Sequence, residues 1–180
     1  MQATFKQLTD FFQEIGADKV EHTDKTYLAH AIGVYNDLKA WGWEEELART
    51  GLFHSIYGTE LFQDFTLPRE RRSEVQALIG DQAERLVYLN CAMKRDHFDT
   101  QIGNSLGSYT ILDRFTGEEL SLSDQDFDDL CFMHLCDWLE QVERWNKWNY
   151  RREAYRNLAE RLGGVAWESY NRVFANESPT

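Results

Sequence analysis

Over the first fifteen residues the apolar side chains Phe5, Leu8, Phe11, Phe12 and Ile15 recur at helical spacing, which predicts an amphipathic helix over 3–15 stopped at Gly16. The pattern resumes from Thr23 to Trp41, where Tyr27, Ala31, Val34, Leu38 and Trp41 repeat every three or four residues and Gly42 closes the segment. A third helix is expected from about Glu44 to Ile56, through Leu47, Leu52 and Phe53. The Gly42-Trp43 link is so short that the second and third helices must pack antiparallel, as an α-hairpin. After Pro68, residues 69–79 and 81–94 read as two further helices parted by Gly80-Asp81.

The period changes between Gly103 and Ser123. GNSLGS reads as a loop, and SYTILDRFTGEELSLS offers two short β-rich runs about Thr116-Gly117, which predicts a small β-hairpin over about 108–122. Ser123, with Asp124 and Asp126 behind it, then starts a long helix carrying Phe127, Cys131, Leu135, Trp138, Val142 and Trp145. Segments 149–162 and 165–175 complete the helical pattern, and the closing ESPT is expected to fray. No repeat, low-complexity tract or linker divides the chain. It reads as one all-α domain over 1–180, a helical bundle with a β-hairpin insertion.

Composition narrows the function. The 180 residues are 42% hydrophobic and 14% aromatic, enough to bury a sizeable core. A net charge of -12 gives a field that repels DNA, RNA and anionic lipid, so neither nucleic acid nor membrane is an expected partner. A small-molecule substrate is expected instead, and an anionic one would need local Arg or Lys. Cys91, Cys131 and Cys136 form no framework pattern, which fits a reduced, cytoplasmic setting. There is no basic start followed by an apolar stretch and no run of eighteen apolar residues, so neither a signal peptide nor a membrane span is expected. Association of copies through the Trp-rich C-terminal helices is compatible with the sequence, though nothing in it fixes an oligomeric state.

His30 and His54 each sit in the apolar stripe of one helix of the expected hairpin, so they can face each other. Gly51 leaves room beside His54 for something to approach the backbone. A neutral imidazole in such a place spends its ring nitrogens on hydrogen bonds or on a metal. Asp137, on the line Leu130, His134, Asp137 and Gln141 of the long helix, offers a carboxylate that is either paired or ligating. Two imidazoles and a carboxylate suit a divalent transition metal such as Mn, Fe, Zn or Co, one ion rather than two, and match the facial triad of non-haem iron. His134, one turn before Asp137, is a further ligand or an outer partner, or else a boundary histidine bonded to nearby polar groups.

The segment HAIGVYNDLKAWGWEEELARTGLFHS, with His30 opening one helix and His54 closing the next, resembles the first half of an HD domain. LFHSIYGTE is similar to the His-Asp segment of that superfamily. MHLCDWLEQV resembles its distal-Asp helix, particularly as it occurs in stringent-response alarmone hydrolases. His54, Ser55, Tyr57, Gly58 and Thr59 also match an HSxYGT signature of an uncharacterised branch of the superfamily. The resemblance covers about 22–145. It implies an HD-like bundle, a metal on His30, His54 and Asp137, and a hydrolase-like reaction. Ser55 departs from the pattern, standing where the superfamily has a metal-binding Asp. Gly58 and Thr59 align with the Glu-Asp pair of the alarmone hydrolases, although Glu60 is one residue away, so alarmone hydrolysis itself is not expected.

Around this set, Ser55, Tyr57 and Glu60 are the candidate catalytic groups, with Tyr57 as a proton donor or a packing ring. Lys25, Arg49 and Thr59 are the candidate substrate contacts, with Arg49 alternatively paired to Glu45 or Glu46. Asp113, Glu118 and Glu119 read as solvated hairpin acids, and Lys94-Arg95 with Asp96-His97 as a mixed-charge loop at a helix end or along a cleft. The run Trp145, Trp148, Tyr150, Arg151, Arg152 and Tyr155 reads as a stacking surface or, more simply, as packing of the final helices. Three functions remain open: a metal-dependent HD-type hydrolase, a mononuclear non-haem iron oxygenase, and a catalytically silent HD-like module that binds a ligand or partner.

Overall fold

A computed structural model describes residues 3–22, 24–103 and 107–177. Thr4 opens the first helix, α1 (Phe5–Glu14), by a reciprocal cap: its hydroxyl accepts the Gln7 amide at 3.3 Å and the Gln7 side chain accepts the Thr4 amide at 2.8 Å. A 3-10 turn at Ala17–Lys19 leads into a two-residue antiparallel ladder, β1 (Glu21–His22) with β2 (Lys25–Thr26). This ladder has no signal in the periodicity. It delays the second helix, α2 (Tyr27–Ala40), until Thr26 can accept the Ala29 amide, and the expected start at Thr23 lies outside the described residues.

The third helix, α3 (Glu45–Phe53), runs back along α2, with His54 against His30 and Gly51 against Val34 and Leu38. That approach needs glycine, since a Cβ at 51 would lie 2.5 Å from a Leu38 methyl. What approaches the Gly51 backbone is therefore the neighbouring helix. A 3-10 turn at Arg69–Arg71 precedes α4 (Arg72–Ile79), and α5 (Asp81–Ala92) follows Gly80. A short helix, α6 (Arg95–Asp99), comes next, then β3 (Tyr109–Leu112) paired antiparallel to β4 (Glu119–Leu122). Asn104, Ser105 and Leu106 of the expected GNSLGS loop lie outside the described residues.

Ser123 accepts the Asp126 amide and so starts α7 (Asp124–Trp145), the longest helix described, which ends where Asn146 turns left-handed. It is followed by α8 (Arg152–Leu162) and α9 (Gly164–Phe174). Of the closing ESPT, Glu177 pairs with Arg152 and residues 178–180 lie outside the described residues. The protein is thus mostly α-helical with small β-hairpins, and among the described residues no helix is long and apolar enough to cross a membrane.

Helix α7 touches α2, α3, α5, α8 and α9 and supplies much of one of two buried regions. One holds Phe127, Leu135 and Trp138 of α7 with Tyr155 and Leu158 of α8; the other holds Phe12, Tyr27, Phe53 and Val87 from the N-terminal helices. Each such fully buried side chain contributes roughly 2 kcal/mol. The candidate residues lie where α2, α3 and α7 meet. One hairpin acid is misread by the sequence: Asp113 is not solvated but 1% exposed, accepting the Tyr88 hydroxyl at 2.6 Å and the Phe115 amide at 2.7 Å, which locks the hairpin to α5.

Candidate metal centre

His30 comes from the first turn of α2, His54 caps the end of α3, and Asp137 lies midway along α7. All three are buried, and one ligating atom from each lies within 4.8 Å of the other two. Nε2 of His30 is 3.0 Å and Nε2 of His54 3.4 Å from the same Asp137 oxygen, Oδ1, with the two rings nearly perpendicular at 82°.

The far nitrogen of each ring is already committed. Nδ1 of His54 lies 2.7 Å from the Gly51 carbonyl, which can only accept, so that nitrogen carries a proton and Nε2 is the one turned to Asp137. The His54 carbonyl in turn accepts from Asn90 at 2.7 Å, fixing the end of α3. Nδ1 of His30 lies 2.5 Å from Oε2 of Glu140, and Glu140 is held by Lys25 at 2.8 Å and Arg144 at 2.7 Å. Burial would raise the Glu140 carboxyl, but His30, Arg144 and Lys25 together bring it down to about 2, so it is ionised. Glu140 reaches His30 because α2 has glycine at 33, where a Cβ would lie 2.5 Å from Oε1 of Glu140.

The two acids set the charge of the imidazole between them. Burial works against an ionised Asp137, yet His54 and His30 hold its carboxyl well below the usual carboxylate range. Burial likewise opposes a charged His30, but Asp137 and Glu140 on its two sides raise it to about 9. Even so, Nε2 of His30 is buried with no hydrogen-bond partner among the described residues, despite its 3.0 Å approach to Asp137. Two nitrogens and a carboxylate oxygen, two of them oriented by outer acceptors, form a donor set that can hold a divalent transition metal.

The set opens into a cleft of about 750 Å³. His54, Ser55 and Asp137 line its inner end, Glu21, Asp24 and Asp64 give it acidic groups, and Trp138, Trp145, Tyr150 and Tyr155 form an aromatic wall. His22 of β1 also faces this space, its ring centroid 4.6 Å from that of His30. Burial and the neighbouring His30 bring His22 down to about 4, so it stands neutral.

Of the residues expected at the site, Lys25, Ser55 and Thr59 line the cleft, but each has a local partner. Lys25 holds Glu140, the Ser55 hydroxyl donates to Tyr27 at 3.2 Å, and the Thr59 hydroxyl accepts the Phe62 amide at 2.9 Å. Four others are placed elsewhere. The Tyr57 hydroxyl donates to buried Glu84 at 2.9 Å, because α3 ends before residue 57 and the chain turns that ring toward α5. Glu60 is taken by the Arg95 amide at 2.9 Å and by Lys94 at 3.2 Å. Arg49 pairs with Glu45 at 3.1 Å and donates to the Ala3 carbonyl at 2.7 Å. His134 turns toward α8, where Nε2 accepts from Arg151 at 2.7 Å and its ring stacks on Tyr155. Burial and Arg151 hold it neutral, well below its ordinary range, and it is not among the three that meet.

Glu140 and His22 take part in the site without having been picked out as site residues, while Arg95, read as part of a mixed-charge loop at a helix end or along a cleft, does line the cleft. For Glu140 a signal existed, since it follows Asp137 by three residues and so shares its helix face. His22 offered none, as its position depends on the β1–β2 turn.

A model of a domain of unknown function (DUF6817) matches residues 11–95, less than half of the chain. The matched stretch contains His30, His54 and Arg95 but not Asp137 or Glu140. No curated protein and no solved structure matches the chain.

Proposed function

We propose that the protein is an HD-type metal-dependent enzyme acting on a small molecule, with one divalent transition-metal ion held by His30, His54 and Asp137. The observation that carries this reading is the orientation of the two imidazoles. Each gives its Nδ1 to an acceptor, Gly51 or Glu140, so that both Nε2 atoms meet the Asp137 carboxylate. An ion held by two imidazoles needs both Nε2 atoms turned to one point, with each Nδ1 engaged by an outer acceptor. Mn, Fe, Zn and Co all suit this donor set. When bound, such an ion polarises a substrate oxygen and lowers the pKa of water, the chemistry of a hydrolase-like reaction.

The chain's own residues do the rest. Gly51 and Glu140 fix the two tautomers and ring planes. Gln141 donates to Oδ1 of Asp137 at 2.8 Å, which leaves that carboxylate a single favoured orientation. Trp138, Trp145, Tyr150 and Tyr155 give the cleft an apolar wall, and Asp64, Glu21 and Asp24 supply carboxylates to it. The Ser55 hydroxyl is spent on Tyr27, which supports one ion rather than two. With three protein donors, the set also suits a ferrous oxygenase. Oxygen uptake by iron-loaded protein separates that reading from hydrolysis.

Metal analysis of freshly purified protein tests the proposal. About one equivalent per chain, lost in His54→Ala, is the expected result. Metal-free protein from metal-replete medium, unable to take up Mn, Fe, Zn or Co, would leave a silent ligand-binding module.

A further inference from the structure

Arg95 opens α6 and lines the same cleft as His54 and Asp137. It is 7% exposed, and among the described residues its guanidinium makes no hydrogen bond and no ion pair. The nearby acid, Glu60, takes its direct contacts from the Arg95 backbone amide and from Lys94, and meets the Arg95 side chain only through its charge. Arg49, equally deep, and Arg151, slightly less so, are both engaged. Arg49 has Glu45 and a carbonyl, and Arg151 has Asp99, His134 and Tyr155. Most of the Arg95 side chain is covered, and a guanidinium so placed beside a cleft, with no protein anion on it, is where a ligand can supply one.

The charge of Arg95 acts on His134 and Tyr155 as well as on Glu60 and Cys91, and the residue lines the same cleft as the aromatic wall of Trp138, Trp145, Tyr150 and Tyr155. There Trp138 and Tyr155 stack at 4.9 Å and 6°, Trp145 meets Trp138 edge-on at 5.5 Å, and Tyr150 closes on Trp145 at 5.8 Å. Trp145 and Tyr150 are only half-buried, so their outer ring surface is open to a flat ligand. The indole N–H of Trp138 is a second buried donor with no acceptor among the described residues.

We infer that Arg95 is the anion-recognition residue of this cleft, and that the ligand is a small molecule joining an oxyanion, carboxylate or phosphate, to a planar apolar ring that packs on Trp145 and Tyr150. In the wider reading this residue holds the substrate's anion beside the metal centre, so the assignment of the ligand as a substrate rests on the proposed function. Recognition by Arg95 itself needs no metal.

The test uses the full chain, stripped with EDTA and separately metal-loaded, titrated with benzoate, phenyl phosphate, benzamide and inorganic phosphate by calorimetry and tryptophan fluorescence. Benzoate or phenyl phosphate should bind the stripped wild type, and whichever is tighter identifies the oxyanion. Arg95→Gln should weaken that binding at least ~30-fold, with Arg95→Lys between the two. Neutral benzamide should bind at least ~30-fold more weakly than benzoate to the wild type, a comparison independent of any variant's folding. Failure of both ring anions to bind at millimolar concentration overturns the inference. So does equal affinity in Arg95→Gln, or anion binding that appears only with metal and ignores Arg95. Inorganic phosphate binding as tightly as phenyl phosphate would remove the ring from the inference. Arg95-dependent binding in a protein that takes up no metal would uphold this inference while removing the metal-dependent enzyme.

Discussion

Glu140 lies one helical turn beyond Asp137, and the two carboxylates approach opposite nitrogens of a single imidazole, that of His30, at 2.5 and 3.0 Å. An acid on the outer nitrogen fixes which tautomer faces inward and raises the basicity of the inner one. Glu140→Gln keeps the size of the side chain and removes its charge. Metal affinity, measured by competition with a chelator, should fall ~10–100-fold, with about one equivalent still bound at saturation. Unchanged affinity would mean that Glu140 serves only its pairs with Lys25 and Arg144.

Gly33 is the reason Glu140 can stand there, so Gly33→Ala should disturb the site without touching a ligand. The added methyl would sit 2.5 Å from Oε1 of Glu140, a contact that forces α2 and α7 apart or turns the carboxylate away from His30. Destabilisation of about 1–3 kcal/mol is expected by denaturant unfolding. In a Glu140→Ala background the obstacle is gone, and the same change should be neutral or slightly stabilising, since alanine favours a helix by about 1 kcal/mol over glycine. Additive costs in the double variant would show that the clash lies elsewhere.

The helices were legible because they repeat every three or four residues, and so was the β3–β4 hairpin, through its turn at Thr116-Gly117. His30 and His54 could be paired because a short link forces α2 and α3 antiparallel, and Asp137 because a carboxylate in a buried stripe demands a partner. What periodicity cannot encode is where side chains go once the backbone leaves a helix. Tyr57, Thr59 and Glu60 follow the end of α3, and only coordinates show that Tyr57 turns to Glu84 and Glu60 to the start of α6. The same blindness applies to His22, carried to the cleft by a two-residue ladder. His134 was close in sequence to Asp137, but three residues along a helix still leave about 60° of rotation, enough to face Tyr155 rather than α2.

Tyr57 separates a catalytic from a structural reading of the segment after α3. Its hydroxyl donates to Glu84, which is fully buried and also bound by Arg72 at 2.6 and 2.8 Å and by Gln76 at 3.2 Å. Tyr57→Phe removes one of several donors to that carboxylate, so a loss of about 1 kcal/mol in stability is expected. Metal content and any turnover should be unaffected. A tenfold or greater drop in turnover with stability intact would return Tyr57 to the reacting centre.

In the metal-free protein, His30 should make stability depend on pH in the alkaline direction. Its folded pKa of about 9 lies above its ordinary value of 6.5, so the stability it contributes is complete below about pH 6.5 and is lost as pH rises through about 9. The shift corresponds to about 3 kcal/mol, or a decline in Tm on the order of 5–10 °C across that interval for a chain of this size. His30→Gln, which cannot titrate, should show a flatter profile over the same range. A bound metal takes the place of the proton on Nε2, so loading at pH 7 should release about one proton per ion, and the stability gained from metal should grow from pH 6.5 to 9. Thermal unfolding with and without metal, paired with a proton-release titration, reads both quantities. A flat metal-free profile identical to that of His30→Gln would show that Asp137 and Glu140 do not hold a proton on this imidazole.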